Sequence, residues 1–102
     1  MLPYVISSVK PQPITDYVLT SHARWELSRR GLSEDTIRAI LAAPEQGFEL
    51  RPGRVVLQSK ISLGQPEKTF LIRVFVDIDQ TPAEVVTAYR TSKIGKYWRD
   101  ST

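Results

Sequence analysis

The chain has 102 residues, of which 41% are hydrophobic, and its formal net charge is +3. This length and composition predict one folded domain and exclude a wholly disordered chain. There is no cysteine and only one histidine, which excludes disulfides and thiolate metal sites and disfavours a histidine-based site. No apolar run approaches the roughly 18 residues of a membrane span. We therefore expect no metal, no cofactor and no membrane partner.

The N-terminal stretch MLPYVISSVKPQP lacks the charged start and apolar run of a signal peptide, so the sequence predicts a cytoplasmic protein. Its two nearby prolines favour an extended arm over residues 1–16, followed by a single domain over residues 17–102. The sequence leaves open a homodimer formed through this arm or through an edge strand.

A first helix is predicted over HARWELSRR, because Thr20 or Ser21 can cap its start. Gly31 follows the last helical residue, where glycine readily adopts the left-handed conformation that ends many helices. The sequence therefore predicts a short helix with both ends defined by local signals.

A second helix follows directly. Ser33 is its predicted N-cap, two acidic residues favour the positive end of the helix dipole, and Pro44 closes it. Its apolar stripe, which faces the core, consists of Ile37, Ile40 and Leu41.

After Pro44 the hydrophobic period changes to two, which indicates strands. The predicted strands are RVVLQSKI (54–61), TFLIRVFVDI (69–78) and AEVVTAYRT (83–91), and residues 47–50 are a candidate edge strand. This order predicts an α+β fold in which two N-terminal helices pack on one face of a three- to four-stranded antiparallel sheet.

Strand alternation assigns residues to the two sheet faces. The even residues of 70–78 are all apolar and should face the helices, and Val86 and Ala88 should do the same in the last strand. The opposite face then carries a basic and hydroxyl-bearing set: Arg54, Lys60, Arg73, Thr87, Tyr89 and Thr91.

Cations cluster in the first helix and again in the final stretch RTSKIGKYWRD (90–100), where they are mixed with Tyr97 and Trp98. Such a segregated charge on a basic domain indicates an anionic partner, nucleic acid before membrane. A solvated charged surface explains the same pattern equally well from charge alone.

The stretch SHARWELSRRGLSEDTIRAIL resembles the opening of a small family of phage- and plasmid-associated domains of unknown function. The last strand is similar to the family's Thr-x-Tyr-Arg ending, and TSKIGKYW is similar to the extension of one sub-group. The matching residues are His22, Ala23, Leu27, Arg30, Gly31, Leu32, Ser33, Ile37, Thr87, Tyr89 and Arg90. Such domains are placed beside RelE- and BrnT-like toxins, in the superfamily of barnase, EndoU and colicin nucleases, so the resemblance implies a RelE- or barnase-like fold. One departure is Glu26, where family members often carry arginine.

The resemblance implies a metal-independent, toxin-like endoribonuclease that cleaves RNA through attack by its 2′-hydroxyl group. His22, the single histidine, is the candidate acid or base, Tyr89 or Lys93 the source of the opposite proton, and Arg90 a phosphate ligand. The candidate nucleic-acid-binding residues are Arg24, Arg29, Arg30, Arg54, Lys60, Arg73, Thr87, Thr91, Ser92, Lys96, Trp98 and Arg99.

Two further interpretations remain open. One is a non-catalytic module that binds RNA, single-stranded in first place, or DNA. The other is a protein-interaction module whose basic face meets an acidic antitoxin. The predicted geometry also contains a difficulty, because the helices cover the apolar sheet face while the basic set lies on the other. His22 therefore joins that set only if the first helix starts at a sheet edge.

Overall fold

The computed structural model describes residues 11–100, in which eight elements follow one another. In chain order they are β1 (Tyr17–Leu19), α1 (Ser21–Arg30), α2 (Glu34–Ala42), β2 (Gln46–Arg51), β3 (Arg54–Leu63), β4 (Lys68–Asp77), β5 (Ala83–Thr91) and α3 (Ile94–Tyr97). Strands dominate this α+β arrangement, and the three helices are short.

The first helix begins and ends where the sequence predicts. The Thr20 side chain accepts a hydrogen bond from the backbone N–H of Ala23 at 3.0 Å, which satisfies one of the free donors of the first turn. At the other end Gly31 has φ 69°, and the N–H of Leu32 bonds to the carbonyl of Leu27 at 2.9 Å. The predicted cap residues are confirmed.

The second helix also follows its local signals. Ser33 accepts from the N–H of Thr36 at 3.1 Å, and the helix ends at Ala42, just before Pro44. Its buried side chains are Ile37, Ile40 and Leu41, as the apolar stripe predicts. These three residues pack with Ala23 and Leu27 of α1 in the main core.

The sheet differs from the prediction, since it has five strands and is mixed, in the order β1-β5-β4-β3-β2. The expectation of three or four antiparallel strands was wrong, because β1 precedes the helices and pairs in parallel with β5. Tyr17 lies opposite Ala83, and Leu19 lies opposite Val85. A strand of three residues shows almost no alternation, and its partner lies far along the chain, so no local pattern reveals it.

The sheet face beneath α1 and α2 carries the apolar residues predicted for β4. Ile72, Val74 and Val76 are fully buried there, together with Leu57 of β3. Ile78, which the alternation also assigned to this face, lies beyond the end of β4 and is exposed.

A β-bulge changes the assignment for the first half of β5. Val76 pairs with Val85 and Phe75 pairs with Thr87, which leaves Val86 as the extra residue. Val85 is therefore fully buried in the core and Val86 is only half-buried, the reverse of the prediction. Ala88, beyond the bulge, is buried as predicted.

The sheet face that points away from α1 and α2 is called the distal face below. Its members include Phe48, Val56, Gln58, Leu71, Arg73, Phe75 and Tyr89. The chain after β5, residues 92–99 including α3, folds back over this face and is called the 92–99 segment. The sheet is thus covered on both sides.

The predicted arm and domain boundaries are only partly within the described residues. Residues 1–10 of the arm, and residues 101 and 102, lie outside them. Within the remainder, Ile14 donates a backbone hydrogen bond to the carbonyl of Leu41 at 2.8 Å and packs against the core.

Candidate nucleic-acid interface

The strand register places the predicted basic and hydroxyl residues on the distal face. Gln58 lies opposite Arg73, and Arg73 lies opposite Tyr89, which forms a row across three strands. The same register places the other members on this face, namely Arg54, Lys60, Thr87 and Thr91. Alternation was sufficient here because no bulge lies between β3 and β4.

Arg73 is the centre of this face and is buried, with 8% of its surface exposed. Its Nε donates to Gln58 Oε1 at 2.8 Å, and its Nη1 donates to the Tyr89 hydroxyl at 2.8 Å. None of the ion pairs among residues 11–100 involves this guanidinium. The Arg73 guanidinium is therefore hydrogen-bonded by neutral partners only.

Four aromatic rings surround the Arg73 guanidinium. The distances from its Cζ to the ring centroids are 4.3 Å for Tyr97, 5.4 Å for Phe75, 5.9 Å for Tyr89 and 6.0 Å for Phe48. The electron-rich ring faces attract a cation, and this attraction increases as water is removed. The rings therefore compensate part of the cost of burying this charge.

The 92–99 segment is attached to the distal face by a chain of glutamine amides. Gln58 Nε2 donates to the carbonyl of Tyr97 at 3.2 Å and to Gln46 Oε1 at 2.9 Å. The backbone N–H of Arg99 donates to the same Gln46 Oε1 at 3.1 Å, and the Gln46 amide donates to the carbonyl of Arg99. The aromatic end of the chain is thus fixed across the sheet rather than extended from its rim.

Each aromatic residue near the segment has a cation over its ring. Lys60 Nζ lies 4.0 Å from the Trp98 centroid, and Arg99 Cζ lies 3.9 Å from that of Phe48. Lys96 Nζ lies 5.3 Å from the Tyr97 centroid. No ion pair among the described residues involves these cations. These cations are thus without a carboxylate ion pair, although the Glu45 carboxylate accepts a hydrogen bond from the backbone N–H of Lys60 at 2.7 Å.

The pKa of Tyr97 lies below its ordinary value. Hydrogen bonding to the Tyr89 side chain is the largest effect that lowers the pKa of Tyr97, and Lys96 and Arg73 lower it further, while desolvation opposes them. The sequence analysis did not select Tyr97 or Gln58 for a role. Gln58 had a usable signal, since it is the one amide among the distal-face positions of β3, directly across from Arg73.

Other predicted binding cations are neutralised by neighbouring carboxylates. Arg54 holds Asp77 in a two-point contact, with Nε–Oδ1 at 2.6 Å and Nη2–Oδ2 at 2.9 Å. This contact lowers the pKa of Asp77 and raises the pKa of Arg54. Arg24 pairs with Glu34 at 2.6 Å on the exposed surface. Neither arginine lacks a counter-ion in the way that Arg73 does.

The basic end of α1 has a structural explanation centred on Glu26, which is buried. Its carboxylate contacts Arg29 at 3.4 Å and forms a short ion pair with Arg30. Arg30 in turn donates to the carbonyl of Ala88 at 2.7 Å and to Thr87 Oγ1 at 3.3 Å. Glu26 therefore connects the helix to β5 through Arg30, and an arginine at this position would meet two guanidinium groups.

The four predicted catalytic residues are not joined by any contact. His22 is exposed on α1, with its ring centroid 6.1 Å from that of Trp25 and its Nε2 3.9 Å from Glu26 Oε2. Among residues 11–100, no hydrogen bond, ion pair or ring contact joins His22 to Tyr89, Arg90 or Lys93.

These partners also point in different directions. Tyr89 lies on the distal face, stacked on Phe75 at 5.9 Å, whereas Arg90 is opposite Ile72 and lies over Phe70 at 5.2 Å. Strand alternation places Arg90 on the helix side of the sheet. Their joint catalytic role therefore stays a prediction.

The remaining predicted residues border the segment. The N–H of Lys93 donates to Thr91 Oγ1 at 3.0 Å, which defines the turn out of β5, and Ser92 is exposed beside it.

Within residues 11–100, no group of three or more histidine or carboxylate side chains is placed to hold a metal ion. No helix in this part of the chain is long and apolar enough to cross a membrane.

The fold and site define an α+β domain whose mixed sheet carries a cation-rich, aromatic face beneath a C-terminal segment. Comparison of the chain with protein-family models, with curated proteins and with solved structures returned no match.

Proposed function

We propose that the protein binds single-stranded nucleic acid, with RNA as the preferred ligand. The binding surface is the outer side of the 92–99 segment and the adjoining sheet edge. The observation that supports this most is the pairing of rings with cations that have no carboxylate partner: Lys60 with Trp98, and Lys96 with Tyr97. Single-stranded RNA binds to surfaces on which bases stack on aromatic or guanidinium planes while cations follow the phosphates.

The experiment measures binding of a fluorescent oligouridylate by anisotropy over a series of salt concentrations. About four phosphate contacts on a single strand give a slope near −3 in log K against log salt. The variant Lys60→Gln/Lys96→Gln/Arg99→Gln should reduce the slope by about 2 units and lower the affinity at low salt by at least about tenfold.

The matched control, Arg24→Gln/Arg38→Gln/Arg51→Gln, removes the same charge from positions away from the segment. Two of its arginines are already paired with carboxylates. It should retain affinity within about threefold, because these cations do not contact the proposed phosphate path. An equal loss in both variants would show that only net charge matters, and absence of binding at low salt would refute the proposal.

A second candidate is metal-independent RNA cleavage on the same face, which is favoured by the lowered pKa of Tyr97 beside the Tyr89 and Arg73 side chains. A lowered pKa increases the fraction of the phenolate at a given pH, and the phenolate is the form that can accept the proton of the RNA 2′-hydroxyl. RNA incubated with EDTA should then yield fragments that end in a cyclic phosphate.

Two variants locate the catalytic centre if cleavage occurs. A centre at Tyr97 predicts that Tyr97→Phe lowers the rate at least about a hundredfold and His22→Ala does not, whereas a centre at His22 predicts the reverse. Intact RNA after incubation with a binding-competent protein would leave only the non-catalytic function.

A further inference from the structure

The Arg73 guanidinium uses only part of its hydrogen-bonding capacity. It has five N–H groups, and the protein accepts from Nε through Gln58 and from Nη1 through Tyr89. Among residues 11–100, Nη2 donates no hydrogen bond. The two N–H groups of Nη2 therefore have no acceptor among the described residues.

The Nη2 atom of Arg73 is still in contact with solvent. Among the described residues one fully buried side-chain oxygen, Glu26 Oε1, makes no hydrogen bond, although the Arg30 guanidinium forms an ion pair with it, and Arg73 Nη2 is not such a fully buried atom. Nη2 of Arg73 is thus not sealed, although nine-tenths of the residue is buried.

Two further cations contact the aromatic rings that pack against Arg73. Lys96 shares the Tyr97 ring with Arg73, and Arg99 shares the Phe48 ring with it. The two rings thus connect the buried Arg73 guanidinium with two cations whose side chains are exposed. The other arginine of this face, Arg54, holds the Asp77 carboxylate with Nε and Nη2, whereas Arg73 donates from Nε to the neutral Gln58 amide and leaves Nη2 without an acceptor.

We infer that Arg73 binds a nucleotide phosphate through the free N–H groups of Nη2, and that Lys96 and Arg99 neutralise the rest of the phosphate charge. A planar guanidinium donates to two phosphate oxygens or shares one between its N–H groups, and such charge-assisted bonds are among the strongest in proteins. The site deepens the proposed function, on which it rests for the identity of the ligand: the phosphate belongs either to the RNA backbone or to a strand end.

The first test measures uridine monophosphate against uridine by calorimetry in the wild-type protein, in Arg73→Lys and in the control Arg54→Lys. Both substitutions keep the charge and remove the planar fork. We expect the monophosphate to bind at least tenfold more tightly than uridine in the wild type and in Arg54→Lys, and to lose that advantage in Arg73→Lys. Equal binding by all three proteins overturns the site.

A second measurement keeps the test decisive if Arg73→Lys does not fold. Ultraviolet absorbance follows the ionisation of tyrosine in the wild-type protein at constant ionic strength, with Tyr97→Phe used to assign the Tyr97 step. Hydrogen bonding to Tyr89 lowers the pKa of Tyr97 most, and Lys96 and Arg73 lower it further, so a phosphate at Arg73 should raise this pKa part of the way toward its ordinary value of 10.0. No change with uridine monophosphate, or the same change with uridine, refutes the site.

Oligouridylates with and without a 5′-phosphate identify the source of the phosphate. A gain of at least tenfold from the terminal phosphate that disappears in Arg73→Lys assigns a strand end, and equal affinities that both fall in Arg73→Lys assign the backbone. Salt-dependent RNA binding that is unchanged in Arg73→Lys would refute the phosphate site at Arg73 and support the proposed RNA binding. Monophosphate binding without oligonucleotide binding would support the phosphate site and refute the proposed RNA binding.

Discussion

Arg54 and Arg73 show that a side chain's position on a sheet does not decide whether its charge is available. Both arginines lie on the distal face, and the sequence predicted both as nucleic-acid-binding residues. Arg54 has a carboxylate across the strand pair, whereas Arg73 has an amide and a hydroxyl. The cross-strand partner depends on register, which the sequence gives only approximately.

The Arg54–Asp77 contact makes stability depend on pH. The folded-state pKa of Asp77 lies below the ordinary value of 3.8, so its contribution is present above that value and is lost as the pH falls through the folded pKa. We expect Asp77→Asn to reduce the free energy of unfolding by about 1 kcal/mol at pH 7.

Urea unfolding at a series of pH values tests this, with Asp16→Asn as the control on an exposed carboxylate that forms no ion pair among the described residues. The gap between wild type and Asp77→Asn should close in acid, while Asp16→Asn should resemble the wild type throughout. A gap that stays constant into strong acid would contradict the ion-pair explanation.

The buried Glu26 carboxylate should matter more than an exposed one. Glu26→Ala removes the partner of Arg30 and Arg29 and loosens the link to β5, and we expect a loss of about 2 kcal/mol. Glu34→Ala, which breaks the exposed pair with Arg24, should cost less than about 1 kcal/mol. Chemical denaturation of both variants compares the two pairs, and equal losses would show that burial is not the deciding factor.

At the scale of elements, the sequence was sufficient wherever the determining signals are local. The caps of α1 and α2 were predictable, since Thr20, Gly31 and Ser33 act on backbone groups within a few residues of themselves. The strand β1, the helix α3 and the bulge at Val86 were not, because each is stabilised by residues distant in sequence. The same limit applied to the site, where the contact of Tyr97 with Arg73 exists only because the segment folds back.

The bulge in β5 can be tested by two adjacent valines. Val85→Thr introduces a hydroxyl group into a fully buried position, and we expect it to cost about 1–3 kcal/mol. Val86→Thr, at the half-buried extra residue, should cost less than about 0.5 kcal/mol. Urea unfolding of the pair measures this difference, and the opposite order would restore the regular alternation predicted from the sequence.

At the scale of the whole molecule, the sheet separates two environments of different character. The helices cover an aliphatic core on one face, and the 92–99 segment covers a face of rings, amides and an uncompensated guanidinium on the other. The stability of the second layer and the anion binding that we propose for it therefore depend on the same side chains.

This layering predicts that Tyr97 contributes to folding as well as to binding. Tyr97→Ala should reduce the free energy of unfolding by about 2 kcal/mol, since it removes a half-buried ring from Arg73 and Tyr89. Trp25→Ala, at a ring with 58% of its surface exposed, should cost less than about 0.5 kcal/mol. Thermal and chemical unfolding of both variants provide the comparison. A stable Tyr97→Ala protein would show that the segment is not part of the folded core.

The parallel contact between β1 and β5 has a consequence for synthesis in the cell. A ribosome releases Leu19 long before Val85, and every other strand of the sheet leaves the exit tunnel between them. Until then the apolar side of α1, including Leu27, lacks the strand on which it rests. Nascent chains of this protein therefore expose apolar surface until β5 has been synthesised and can pair with β1.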